Sequence, residues 1–243
     1  MPSTSAFALI AIALCLAASS ASAGHQHFGK TLFGKKKNYE KFGYYLKKKY
    51  HKCVPRVCFM LDGSASLTNY EYRLQREFVF TAAGLLDIIN SNTKYSALQY
   101  GGTPAHIISK PTSAAQHFQA KVLNSYSKRY GVTSITPAML YCISQFPGNG
   151  KYSYSPNKIV LLGDGRSNFG PIYGPFGPVT VAKLFRQKKN NDIVAVAVGN
   201  AAKYKLSQIA GGYHKVLSAD AWGVLKLQGL FEPLIKRICQ GYY

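Results

Sequence analysis

The sequence predicts an α/β fold: a doubly wound, mostly parallel sheet flanked by helices on both faces. Apolar runs at 57–61 and 159–162 are each followed within two residues by an aspartate, and a third, Val-rich run lies at 193–198. Continuous apolar runs of this length are typical of strands buried on both faces of a parallel sheet. Segments with helical spacing separate these runs, and such alternation indicates a parallel sheet that is covered on both sides.

The elements follow in chain order. After the first strand, apolar residues at helical spacing predict an amphipathic helix over 71–90 that packs on the sheet. Short strands at 95–100 and 106–109 are joined by the turn-forming stretch 101–104, which contains two Gly and one Pro. The later predicted helices are 114–126, 137–146, 179–190, 203–210 and about 221–238, and the later predicted strands are 158–162, 193–198 and 216–217.

Asp62 and Asp164 follow the first and the second of the strongly buried strands. They are unusual because the chain has nine acidic residues against thirty Lys and Arg, a formal charge of +21. Ligands of open α/β sheets bind where the strands end. The pair therefore marks a candidate site.

The residues around these aspartates resemble a known metal site. Asp62, Ser64 and Ser66 form the pattern Asp-x-Ser-x-Ser, and Thr133 lies between them and Asp164. In this order and at these separations they resemble the metal ion-dependent adhesion site of the von Willebrand factor type A domain, over roughly 53–240. The resemblance implies a Rossmann-like fold with a mixed edge strand near 106, three metal loops supplied by these five residues, and a bound Mg²⁺, or Mn²⁺ or Ca²⁺, with one position left for a partner's carboxylate.

Ligand chemistry is compatible with this interpretation, since carboxylates, hydroxyls and water are the ligands that these ions prefer. An alternative needs no metal: the first loop is a plain turn, and Thr68 with Glu71 forms a helix capping box.

Two positions depart from the family pattern. Gly163 stands where a Thr is common, and Ser134 and Thr136 offer hydroxyls close to Thr133. Thr133 is the better candidate ligand, because Thr136 next to a proline fits a helix N-cap.

Residues 1–23 are typical of a secretory signal peptide: they carry no charged side chain, have an apolar core over 6–18 and end in Ala21-Ser22-Ala23. No later segment approaches the roughly 18 to 20 apolar residues that a transmembrane helix needs. We expect a mature protein that begins near Gly24 and is secreted into the extracellular matrix.

Four cysteines follow the predicted signal peptide, an even number that suits an oxidising compartment. In the family the two chain termini lie close together, so the resemblance implies a disulfide between Cys53 and Cys239. Cys58 and Cys142 are interpreted as buried thiols, with a second disulfide left open.

Residues 24–52 form a basic arm with nine Lys and one Glu. The clustered charge hides any amphipathic period, so we expect the arm to stay extended and flexible and to bind acidic polysaccharide or mineral. The alternative is a solvated leader without a partner. The candidate polyanion-binding residues are Lys35, Lys36, Lys37, Lys47, Lys48 and Lys49.

A Gly- and Pro-rich stretch, 168–178, follows Asp164. Its aromatic residues Phe169, Tyr173 and Phe176 are either anchors for a partner or a small cluster folded under the loop. In the family's topology this stretch would border the metal site.

Two classes of function follow. The first is a secreted adhesion protein that binds a carboxylate-bearing matrix partner such as collagen through its cation; the second is a structural or biomineral-associated protein that binds polyanions by charge alone. A chelator should abolish the first kind of binding and added salt the second.

Enzymatic and nucleic-acid functions find little support. The sequence has no nucleophile elbow, no phosphate-binding loop and no His-Glu-x-x-His helix. Secretion would separate the chain from most nucleic acid, although its charge would favour such binding.

Overall fold

The computed structural model describes residues 36–101, 105–126, 133–146, 155–165, 175–198, 203–219 and 229–240. The predicted signal peptide and the first part of the basic arm lie outside these residues. The strands are β1 (Arg56–Asp62), β2 (Lys94–Tyr100), β3 (His106–Thr112), β4 (Asn157–Gly163), β5 (Asp192–Val198) and β6 (Val216–Ala219). The helices are α1 (Lys36–Tyr50), α2 (Asn69–Ile89), α3 (Ala115–Asn124), α4 (Ile135–Gln145), α5 (Pro178–Arg186), α6 (Lys203–Ala210) and α7 (Phe231–Ile238).

The strands form one sheet in the order β3-β2-β1-β4-β5-β6. All neighbours are parallel except β2 and β3, which are antiparallel. The predicted fold class is confirmed, and so is the mixed edge strand near 106. Because β1 and β4 are adjacent and parallel, their carboxyl ends bring Asp62 and Asp164 to the same edge of the sheet.

Each face of the sheet has its own apolar core, as alternation along β1 illustrates. Phe59 and Leu61 point into one core, which α1, α2, α3 and α7 cover, while Cys58 and Met60 point into the other, which α4, α5 and α6 cover. Side chains of successive strand residues lie on opposite faces. A strand buried on both faces therefore has to be apolar throughout, as the sequence of β1 is.

Helix ends differ from the predicted ones at two places. α4 begins at Ile135, with Ser134 in the N-cap position and no side-chain capping bond, so the predicted N-cap at Thr136 is wrong. The last helix is described only as Phe231–Ile238, and the predicted start near 221 lies outside the described residues. The capping box of Thr68 and Glu71 is present at the start of α2.

The expectation of an extended basic arm is wrong for its second half, because Lys36–Tyr50 is helical. Tyr39, Phe42, Leu46 and Tyr50, at spacings of three, four and four residues, pack in the core between α1 and α2. This stripe has helical spacing, but three of its four members are aromatic and lie among lysines, and aromatic residues have only modest helix propensity. Contact with α2 therefore stabilises a helix that charge clustering alone would disfavour.

Two glycines let α1 approach α2 closely. A Cβ at Gly43 would lie 2.8 Å from Cδ1 of Ile88, and a Cβ at Gly84 would lie 2.4 Å from Oη of Tyr39. Neither distance is sterically possible, so each helix has a glycine where the other helix presses against it. α1 is thus an integral layer of the fold.

Replacing Leu46 by alanine should lower the free energy of unfolding by about 3 kcal/mol, because Leu46 is fully buried between α1 and the core. Urea denaturation followed by circular dichroism measures this. Lys47→Ala on the exposed side of α1 serves as the control and should change stability by less than about 0.5 kcal/mol. A small effect of Leu46→Ala would mean that α1 does not belong to the cooperative fold.

Two disulfides hold the described fold together. Cys53 and Cys239 are bridged, which confirms the predicted pair. Cys58 and Cys142 form a second disulfide with a Cα–Cα distance of 5.8 Å, so their interpretation as free thiols is wrong. The second pair depends on how α4 lies on β1, and sequence spacing carries no information about that packing.

Candidate functional site

Asp62 is held at the end of β1 by a side chain of α2. The Asp62 amide donates to Oε1 of Gln75 (2.8 Å), and Nε2 of Gln75 donates to the Asp62 carbonyl oxygen (2.9 Å). Gln75 is fully buried, and its amide group makes the two hydrogen bonds that the backbone of a neighbouring strand would otherwise make with Asp62. Sequence reasoning missed Gln75, although a glutamine beside the apolar stripe of a buried helix is the kind of residue that needs a partner.

A chain of hydrogen bonds joins the two aspartates. The Ser64 amide donates to Oδ1 of Asp62 (2.9 Å), and the hydroxyls of Ser64 and Ser66 are 2.8 Å apart. The Ser66 hydroxyl donates to Oδ2 of Asp164 at 2.9 Å. The structure therefore brings four of the five predicted ligands into one connected cluster.

The second carboxylate oxygen of Asp62 is unusual. Oδ2 is buried and makes no hydrogen bond of normal geometry with the described residues, because the neighbouring Tyr100 hydroxyl donates to the Leu162 carbonyl oxygen instead. Burial, with a smaller contribution from the nearby charge of Asp164, raises the pKa of Asp62 to about 7, against the lowering effects of Ser64 and Tyr100. An ionised carboxylate in such a place is costly unless a cation neutralises it.

Gly163 stands where the family commonly has a Thr, and the structure gives a steric reason for the glycine. A Cβ there would lie 2.0 Å from Oη of Tyr100 and 2.6 Å from Oδ2 of Asp62. The Tyr100 hydroxyl donates to the Leu162 carbonyl oxygen at 2.7 Å, and burial raises the Tyr100 pKa well above its ordinary value, so the phenol stays protonated. Tyr100 therefore fills the volume that a larger residue at 163 would need, and only the structure reveals it as part of the site.

The second predicted loop precedes α4. Thr133 and Ser134 are almost fully buried, at 1% and 3% exposure. Both hydroxyls remain candidates for a cation ligand, whereas Thr136 lies inside α4.

The residue set fits a hard divalent cation. The described residues contain no group of three or more His, Cys, Asp or Glu that could hold a metal, so an all-carboxylate or imidazole cage is not what this cluster offers. It offers two carboxylates and several hydroxyls instead, with the orphaned Oδ2 of Asp62 among them. Such oxygen donors suit an ion that keeps part of its water, as Mg²⁺ does.

The other predicted binding residues fall into two groups. Phe169 and Tyr173 lie outside the described residues, and Phe176, just before α5, is 83% exposed, so it is not folded under its loop. Among the predicted lysines, Lys47, Lys48 and Lys49 are exposed on α1. Lys35 lies outside the described residues, as do the side chains of Lys36 and Lys37.

Replacing Gly163 by alanine should destabilise the protein by roughly 1 to 3 kcal/mol, because the new methyl group overlaps the Tyr100 hydroxyl. Combining it with Tyr100→Phe, which removes that hydroxyl, should cost less than the sum of the two single changes. Chemical denaturation of the four proteins in this double-mutant cycle measures the coupling. Strict additivity would show that the two positions do not compete for the same space.

Comparisons with known proteins agree with this geometry. The family model described as von Willebrand factor type A domain matches residues 57–232. Human vitrin is 22% identical over 201 residues, which cover 77% of this chain and 28% of vitrin. The mouse collagen alpha-6(VI) chain is 23% identical over 186 residues, which cover 75% of this chain and 8% of that protein.

Among solved structures, proximal thread matrix protein 1 from the mussel byssus has a TM-score of 0.66 at 17% identity, over 77% of this chain and 48% of that one. This likeness supports the fold alone. Guinea pig cochlin is 24% identical over 185 residues, which cover 76% of this chain and 32% of cochlin. The chain therefore spans about a third or less of the length of these curated relatives.

Vitrin, collagen VI and cochlin are secreted proteins of the extracellular matrix, which confirms the predicted location. None of the described helices is long and apolar enough to cross a membrane. With the match covering 57–232 and the sheet order observed, this chain belongs to the von Willebrand factor type A domain family.

Proposed function

We propose that this protein is an extracellular-matrix adhesion protein that binds a divalent cation at Asp62 and Asp164 and, through it, a carboxylate of a matrix protein. The observation that carries this proposal is the buried, unpartnered Oδ2 of Asp62, next to a hydroxyl chain that leads to Asp164. Mg²⁺ is the first candidate ion, with Mn²⁺ or Ca²⁺ as substitutes.

The residues of the site have distinct roles in this proposal. Asp62, fixed by Gln75, supplies the buried charge, and Ser64 and Ser66 supply hydroxyls whose spacing the strand end and turn set. Asp164 supplies a second, more accessible carboxylate, and Thr133 a hydroxyl from the segment before α4. A bound cation would supply electrostatic attraction for an anionic side chain of the partner.

A carboxylate-bearing partner suits both the site and its surroundings. The whole chain carries a formal charge of +21, so acidic protein surfaces are attracted from a distance. Collagen is the partner class to test first, because it is an abundant matrix protein that carries acidic side chains. The curated relatives are matrix proteins, which supports a binding role over an enzymatic one.

A second function has its own support. Lys47 and Lys48 are exposed on helix α1, where they can bind acidic polysaccharide or mineral without a bound metal ion. This charge-driven binding is compatible with the first function, since it uses other residues.

One experiment separates the two functions. The secreted protein is titrated onto immobilised fibrillar collagen and onto a sulfated polysaccharide, with Mg²⁺ or with EDTA, at low and at high salt. We expect collagen binding to require Mg²⁺ and to be lost in Asp164→Ala, while Lys47→Ala/Lys48→Ala retains it and binds polysaccharide less well. Collagen binding that persists in EDTA would overturn the proposed cation-dependent adhesion.

A further inference from the structure

A groove lies between α1 and α7, away from the cation site. It has a volume of about 1230 Å³, and α1 contributes Phe42 and Tyr50 to its wall. α7 contributes Pro233, Lys236 and Arg237. Phe42 and Tyr50 lie outside the segment 57–232 that matches the family model, so the groove depends partly on α1, which that model does not cover.

Two of the residues that line the groove, Lys49 and Glu232, form an ion pair that neutralises the Glu232 carboxylate. Lys49 of α1 lies 3.0 Å from Oε1 of Glu232 at α7, and the Tyr45 hydroxyl donates to the same oxygen at 3.0 Å. These contacts hold the two helices together. Glu232 also interacts with Lys236 one turn further along α7, but its hydrogen bonds with Lys49 and Tyr45 have the larger effect on its carboxylate.

Three basic side chains remain available there. Lys236, Arg237 and His214 line the groove, and their side chains form no hydrogen bond or ion pair with any other residue that the structure describes. Arg237 is partly buried, and that burial lowers its pKa. A partly desolvated guanidinium without a partner favours an anionic ligand.

Asp192 of β5 interacts electrostatically with Arg237 but is not its hydrogen-bond partner. Asp192 accepts from Nζ of Lys215 at 2.7 Å and from the amide of Ile193 at 2.9 Å. Its charge is therefore shared with a nearer cation. The groove keeps an excess of positive charge beside apolar wall surfaces.

We propose that this groove binds an acidic polysaccharide, with sulfate or carboxylate groups on Lys236 and Arg237 and sugar rings against the apolar surfaces of Phe42 and Pro233. Arginine binds planar or tetrahedral oxyanions with paired hydrogen bonds, and apolar surface combined with a few polar groups is typical of ligand sites. This inference deepens the charge-driven binding proposed above and rests on it. It assigns that binding to a defined groove as well as to the exposed lysines.

The groove and the cation site lie toward opposite ends of the sheet. Nζ of Lys158, at the start of β4, donates to the carbonyl oxygen of Gln240, which lines the groove, whereas Asp164 follows the end of β4. Seven strand residues span roughly 20 Å. One domain can therefore hold a polysaccharide and a matrix protein at the same time.

The test measures binding of a heparin octasaccharide to the secreted protein in EDTA, so that the cation site plays no part. We expect Lys236→Ala/Arg237→Ala to weaken binding about tenfold or more, and Lys47→Ala/Lys48→Ala, with the same loss of charge, to weaken it by no more than about threefold. Denaturation curves and circular dichroism spectra that match those of the wild type establish that both variants are folded.

Several outcomes would overturn the inference. Equal weakening in the two variants would mean that total charge decides the affinity and that the groove has no special role. Weakening only in Lys47→Ala/Lys48→Ala would leave the charge-driven function standing and remove the groove from it, whereas no binding by the wild type would remove both. A DNA duplex of similar charge that binds with equal affinity would exclude recognition of a sugar polymer.

Discussion

Asp62→Asn should abolish the stabilisation that Mg²⁺ gives to the wild type, and it should remove the pH dependence that Asp62 contributes to the metal-free protein between about pH 4 and pH 7. The substitution keeps the shape of the side chain and the acceptor for the Ser64 amide. It removes the charge that burial makes costly. Both effects therefore report on the same carboxylate.

The sign of the pH effect follows from the raised pKa. Burial raises the pKa of Asp62 to about 7 in the folded protein, above its ordinary value of 3.8, so the unfolded chain releases its proton first as the pH rises. This group adds nothing to the pH dependence below about pH 4, lowers stability progressively up to about pH 7 and leaves a constant deficit above it. A pKa raised by about three units corresponds to a destabilisation of the folded state of about 4 kcal/mol above pH 7.

At pH 8 without cations, Asp62→Asn should consequently be more stable than the wild type. We expect a gain of about 1 to 3 kcal/mol, since the buried amide of asparagine offsets part of the benefit. In the wild type a cation should offset most or all of this difference, because a ligand at one hundred times its dissociation constant adds about 2.7 kcal/mol.

Urea denaturation at several pH values, with EDTA or with millimolar Mg²⁺, measures both effects. Asp164→Asn is the matched control: it should also lose the response to Mg²⁺ but keep most of the pH dependence that Asp62 causes, since burial is the main cause of the raised Asp62 pKa. An equal response to Mg²⁺ in the wild type and in both variants would show that the cation binds elsewhere.

Removing the disulfide between Cys58 and Cys142 should lower the free energy of unfolding by roughly 4 to 5 kcal/mol. The bridge spans 84 residues, and in the chain-entropy model a loop of that length restricts the unfolded state by about this amount. The loss is large against the 5 to 15 kcal/mol that is usual for a domain.

The double variant Cys58→Ala/Cys142→Ala tests this without leaving an unpaired thiol. Guanidinium denaturation gives the change in stability, and Ser144→Ala on the exposed side of α4 provides a control that should stay within about 0.5 kcal/mol. A double variant as stable as the wild type would mean that residual contacts between these two segments already restrict the unfolded chain.

Part of the site could be predicted from the sequence because several of its residues lie next to sequence patterns that identify buried strands. Asp62 and Asp164 follow apolar runs, and parallel strands that are buried on both faces leave few other interpretations of such runs. The hydroxyls of Ser64 and Ser66 come with Asp62 in one short motif. Local patterns of this kind can be interpreted without knowing which other segments pack against them.

Tyr100, Gln75 and the helix α1 were not readable in that way. Tyr100 matters because it fills the space beside Gly163, and Gln75 because α2 places it against the end of β1. α1 is helical because its aromatic stripe meets α2. Each of these depends on contacts between segments far apart in the chain.

The sequence by itself determined the α/β class, the buried strands and the two aspartates at their ends, because burial on both faces requires continuous apolar runs and acidic residues are rare in this chain. Only the tertiary structure decided the disulfide of Cys58 with Cys142, the helical state of Lys36–Tyr50 and the groove between α1 and α7. These features arise from surfaces that meet only after the chain has folded, and the free energy of those contacts overrides the local preference of each segment.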